Sequence, residues 1–188
     1  TLAVHLAAAG ATVYSDDVLP LGSPGERGLA LGILPRLRLP LPADSGSRFN
    51  DFVAARKGPE SKRYRYVALG SGEIAPFGSS TAIKGVVLLE RHENAPLDFQ
   101  PVRDSDVMKA AILRNFARDV PAIDIFDRLF SVVHGSRCFK LTYDSGAEAA
   151  AAVIRRAGQV SHGFVATQPA TKAGRTRTTS ADCFWLKG

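Results

Sequence analysis

Residues 1–21, TLAVHLAAAGATVYSDDVLPL, decide how the rest of the chain is read. Leu2 and Leu6 lie four apart in an alanine-rich run, which predicts a helix over residues 1–9 closed by Gly10. Residues 11–15 (ATVYS) then read as a short strand, and Asp16-Asp17 stand at its end. Side chains alternate along a strand, so one of two adjacent carboxylates faces a site while its neighbour supports it from behind. Carboxylates so placed suit magnesium or the acceptance of a proton. The opening of a turn is the other reading of the pair. A helix starting at the first residue has no visible N-terminal cap, so the sequence predicts a missing upstream portion.

Outward from this segment, the chain mixes strands and helices throughout. Residues 34–39 alternate, with Arg36 and Arg38 on one face and the leucines on the other. Strands are predicted over 63–69 and 83–90, the second nearly continuous in apolar residues, as a strand covered on both faces requires. Residues 44–61 read as a polar connection with a helical turn at 49–56. Helices follow over 105–118 and 122–133, the second with Ile123, Phe126, Leu129 and Phe130 inward. Residues 138–143 alternate, putting Phe139, Leu141 and Tyr143 on one face. Ser145-Gly-Ala-Glu148 is a capping box opening a helix that runs to about residue 157, where Gly158 ends it. Two units are expected: an α/β domain over 1–158 and a basic, loosely structured tail over 159–188, with Phe184 and Trp185 docking on the domain.

Composition narrows the function. The 188 residues are 45% apolar and 22% charged, a profile of one globular domain rather than a disordered chain. No apolar run approaches the roughly 20 residues that cross a bilayer, and the opening lacks the basic region of a signal peptide. No membrane partner is expected. Cys138 and Cys183 have no ligand-spaced partners, so a cytoplasmic location is expected. The net charge is +6, and residues 159–188, with Lys172, Arg175, Arg177 and Lys187 against Asp182, carry half of it. That charge is a property of the tail rather than of a folded face interleaved with aromatics, so nucleic acid is not an expected partner. Tyr64 and Tyr66, alternating with Arg63 and Arg65, resemble a base-stacking surface, but a half-exposed antiparallel strand gives the same pattern. His5 reads as a partly buried structural histidine.

The segment from Thr1 to Leu21 resembles the region just after the Walker A loop in relatives of the HPr serine kinase/phosphorylase. There, a Gly-Lys-Ser loop leads into an alanine- and leucine-rich helix, a glycine, a strand and an Asp-Asp-Val-type sequence, which Gly10 and Asp16-Asp17-Val18 match in spacing. Fainter similarity continues in Leu34–Leu39, in Val86–Arg91 and in the helix from Val107 to Phe116. The likeness is greater to small kinase-like relatives found beside peptide-modification genes. It implies a P-loop kinase-like α/β fold, similar to the HPr kinase C-terminal domain, with a mixed sheet flanked by helices and the N-terminal strand and phosphate loop missing. It also implies an ATP- and magnesium-dependent serine kinase acting on a peptide or small protein, with homo-oligomerisation as a family trait. Asp17 would then take the hydroxyl proton and Asp16 would order the magnesium shell, with Glu26 standing where the family carries a second metal-binding Glu. Thr1 directly follows the expected loop, and Arg36 and Arg38 offer positive charge to phosphate. The loop itself, whose backbone N–H groups and lysine hold the phosphates, is absent, so the chain as given is expected to bind ATP poorly, whether truncated or inactive. The alternative is a non-catalytic binding or scaffold module of a peptide-modification system.

Overall fold

The computed structural model describes residues 2–22, 27–42, 45–162 and 183–187, with 159–162 and 183–187 described by backbone alone. Its elements are α1 (Leu2–Ala8), β1 (Arg27–Leu29), β2 (Arg36–Arg38), α2 (Ser47–Ala55), β3 (Lys57–Glu60), β4 (Tyr64–Val67), β5 (Ser80–Ala82), β6 (Gly85–Arg91), β7 (Asp98–Pro101), α3 (Asp104–Leu113), α4 (Ala122–His134), β8 (Arg137–Tyr143), α5 (Gly146–His162) and β9 (Cys183–Lys187). The architecture is mixed α/β, built on one larger sheet and two small antiparallel ones.

The opening helix is the hub. Leu2 through Ala7 are all buried, as a helix with apolar residues around nearly its whole circumference must be. Leu2 and Leu6 pack with Val87, Leu89, Phe139, Leu141 and α5. Ala3, Val4 and Ala7 pack oppositely, against Leu37, Phe49, Val53 and Val67. Thus α1 joins the larger sheet to the small sheet and α2. His5, its one polar side chain, is 9% exposed and stacks on Phe49 with ring centroids 3.7 Å apart. The structural reading of this histidine holds.

The larger sheet runs β7-β8-β6-β9. Strands β8 and β9 lie parallel to β6 on either side, and β7 is antiparallel to β8. Strand β6 is covered on both faces as its composition required: Val86 meets Val107, Ala111, Val132 and Val133 of α3 and α4, while Val87 and Leu89 meet α1 and α5. On β8, Phe139, Leu141 and Tyr143 share the α1–α5 face, and Cys138 takes the other. Burial and the nearby Asp104 carboxylate push the Cys138 thiol up to about 12, which disfavours the thiolate form.

In the small sheet β2-β4-β3, Leu37 is fully buried between exposed Arg36 and Arg38. Strand β4 is antiparallel to both neighbours, with Tyr64, Arg65 and Tyr66 all half-buried. The connection over 44–61 is more ordered than its polarity suggests, because Phe49 and Val53 anchor α2 to the core.

Several expected boundaries move. Residues 11–15 form only a single parallel bridge between Val13 and Ile74. Helix α3 ends at Leu113 rather than Arg118, where the Asn115 side chain accepts a bond from the Ala117 N–H and competes with the helical ladder. The inward face of α4 is also corrected. Ile123, Phe126 and Phe130 are exposed, and Val132 and Val133 are buried. Leu129 does pack against the core. A helical period admits two neighbouring stripes, and docking on β6 and β8 selects the one that contains Leu129, Val132 and Val133. Helix α5 continues through Gly158 to His162. Residues 183–187, placed in the tail by sequence, form strand β9 beside β6.

One polar contact fastens the small sheet. Arg56, after α2, meets Glu73 with nitrogen–oxygen distances of 2.6, 2.8 and 3.0 Å, and the Gly70 N–H donates to Glu73 Oε2 at 2.8 Å. Hydrogen bonding from Arg56 holds the Glu73 carboxyl below the ordinary carboxylate range, outweighing its burial. A depressed folded value means that this stabilisation is present above the unfolded pKa and lost as pH falls through the folded one. Glu73→Gln is therefore expected to cost about 1–2 kcal/mol at neutral pH. In urea melts its deficit against wild type should shrink below about pH 4. A deficit unchanged with pH would remove the carboxylate from the explanation.

Candidate functional site

The turn after α1 sets the site. Gly10 has φ of 95°, a left-handed conformation that favours glycine. It reverses the chain into residues 11–15. There the Val13 N–H donates to the Glu73 carbonyl at 2.8 Å, and the Ala75 N–H donates to the Val13 carbonyl at 2.9 Å. The Ser15 hydroxyl then donates to the Val18 carbonyl, turning the chain just where the carboxylates stand.

Asp16 and Asp17 are held from β2. The Arg36 N–H donates to Asp16 Oδ2 at 3.1 Å, and the Arg36 guanidinium lies 3.7 Å from Asp17 Oδ2. The same guanidinium sits 4.5 Å from the centre of the Tyr64 ring. Sequence reasoning set Arg36 aside for phosphate; here it is engaged by the carboxylates and the tyrosine. Arg38 stays exposed on the same face of β2. Arg91, another arginine at a strand end, lies 3.0 Å from the Asp144 carbonyl and 3.8 Å from its carboxylate. Thr1 and Glu26 lie outside the described residues.

Both carboxylates line a cavity of about 830 Å³ between residues 11–21 and the α3–α4 hairpin. That is the size of a pocket for a drug-sized ligand. Leu6, Val13, Leu19, Leu21, Ile83 and Leu129 form much of its apolar wall, and Arg114 and Arg128 contribute the positive charge. Neither Arg36 nor Arg38 lines it. Sequence reading missed Arg114 and Arg128, and no local signal marks them, because only the docking of the hairpin brings them opposite Asp16 and Asp17.

Two adjacent carboxylates offer hard oxygen ligands. No group of three His, Cys, Asp or Glu side chains able to hold a metal ion forms among the described residues. A cation here would complete its shell with water and substrate oxygens, the habit of magnesium rather than of zinc or calcium. Among the described residues no helix is long and apolar enough to cross a membrane. Comparison with protein-family models, with curated proteins and with solved structures gives no match to this chain.

Proposed function

We propose that this chain is a kinase-like domain resembling the HPr serine kinase relatives, acting in the cytoplasm on a serine hydroxyl of a peptide or small protein. The observation that carries the reading is the Asp16-Asp17 pair on the wall of a ligand-sized cavity, anchored from β2 by Arg36. Asp17 is the base that accepts the hydroxyl proton, and Arg36 orients it. Asp16, fixed by the Arg36 N–H, is the ligand that orders a magnesium shell. ATP with magnesium supplies the phosphoryl group and its charge neutralisation. The Gly-rich loop that cradles such phosphates is not among these 188 residues, so the activity is tested on a form extended to carry one ahead of Thr1.

Isothermal titration with ATP and magnesium tests this, comparing the 188-residue chain with that extended form. The expected result is magnesium-dependent binding by the extended form alone, in the micromolar range, about −8 kcal/mol. Binding by neither form favours the second reading, a non-catalytic binding module, which the apolar lining of the same cavity supports.

A further inference from the structure

The cavity carries an electrostatic asymmetry that the roles given to Asp16, Asp17 and Arg36 leave unexplained. Its four charged lining residues are Asp16, Asp17, Arg114 and Arg128. Arg36, which does not line the cavity, supplies positive charge to the two carboxylates from behind. The two arginines have no such counterpart. Arg114 makes one long hydrogen bond, 3.5 Å, to the Ala110 carbonyl. Among the described residues, neither Arg114 nor Arg128 forms an ion pair. Around them the wall is apolar: Val120 and Phe116 at the rim, with Leu19, Ile125 and Leu129 within. A guanidinium beside apolar surface is well suited to an anion, since it is weakly hydrated and presents a fork of donors that fits a carboxylate or phosphate.

We propose that this cavity binds an apolar ligand bearing an anionic group, its apolar body against Leu19, Ile125 and Leu129 and its anion on Arg114 and Arg128. Identifying that ligand with the phosphate acceptor, an apolar segment with an acidic group near its hydroxyl, rests on the kinase reading. The binding itself does not.

Two fluorescent probes test it on the 188-residue chain: 1-anilinonaphthalene-8-sulfonate and its uncharged parent, N-phenyl-1-naphthylamine. Wild type should bind the sulfonate at one saturable site per chain, about tenfold more tightly than the parent. Arg114→Gln/Arg128→Gln should abolish that preference while keeping the parent's affinity. Both arginines are exposed, so the variant is expected to melt as wild type does. Lys109→Gln, which removes a charge from α3 away from the cavity, should leave the preference intact. Val120→Trp, at the rim, should weaken both probes. Equal affinity of wild type for the two probes overturns the proposal, as does a preference that survives in the double-arginine variant or is lost in Lys109→Gln. Unchanged binding by Val120→Trp places the probe elsewhere and overturns it too. Failure of ATP titration with a positive probe result discards the kinase reading alone; the reverse pattern discards this ligand class alone.

Discussion

On the kinase reading proposed above, Asp17→Asn is expected to lower the phosphotransfer rate of the ATP-competent form by about 10²–10⁴-fold, the range that a positioned general base contributes. The substitution keeps the shape of the side chain and removes its capacity to take a proton. The contact to Arg36 that the substitution disturbs is a 3.7 Å ion pair between groups that are 44% and 50% exposed. Such surface pairs contribute about 0–1 kcal/mol. Affinity for ATP and magnesium should stay close to wild type, since the proton leaves the acceptor rather than the nucleotide, so the loss appears in kcat. Asp16→Asn should behave differently. It weakens the ligand assigned to the magnesium shell, so its activity should recover in part at higher magnesium. Turnover by Asp17→Asn at the wild-type rate refutes the base assignment, whatever Asp16→Asn does.

The parts of this molecule that the sequence exposed are those in which one residue pattern has one structural solution. An alanine-rich run with Leu2 and Leu6 four apart before Gly10 reads as a helix, and α1 forms there. Gly85 to Leu89 is apolar without alternation, and β6 is covered on both faces. The alternation of Arg36, Leu37 and Arg38 translates directly into exposed, buried, exposed. Asp16 and Asp17 were legible as a pair following α1, but the strand expected before them is only a single bridge at Val13. The short strands β1, β3, β5 and β7 were not legible, because each has only three or four residues and exists through its partner. Lys57–Glu60 is polar and contains a proline, and only pairing with β4 makes it a strand. The same limit hid the cavity's arginines. Arg114 follows the last turn of α3 and Arg128 lies within α4, and their facing residues 11–21 is a property of docking, which no local spacing encodes.

The junction between α1 and α5 shows how a residue read only for its local role carries a tertiary one. Gly146 lies in the capping box that opens α5, where the Glu148 N–H donates to the Ser145 hydroxyl at 3.4 Å. Any small residue satisfies that motif. A Cβ at position 146, however, would lie 2.5 Å from both Cδ2 and Nε2 of His5. The imidazole has no easy retreat, being 9% exposed and stacked on Phe49 with an interplanar angle of 14°. Gly146→Ala is therefore expected to destabilise the fold by about 2–3 kcal/mol, the upper part of the overpacking range. For a chain of this size that is a fall in Tm of about 4–12 °C. His5→Ala removes the ring that the new methyl strikes, at the expense of its stacking on Phe49. The double variant should then be less destabilised than the two single losses combined, by about 1 kcal/mol or more, as steric coupling between touching residues requires. Strict additivity in urea melts, or a neutral Gly146→Ala, would show that the start of α5 does not press on α1 at His5. It would also loosen the placement of the turn at Gly10 and the carboxylates that follow, since α1 positions both.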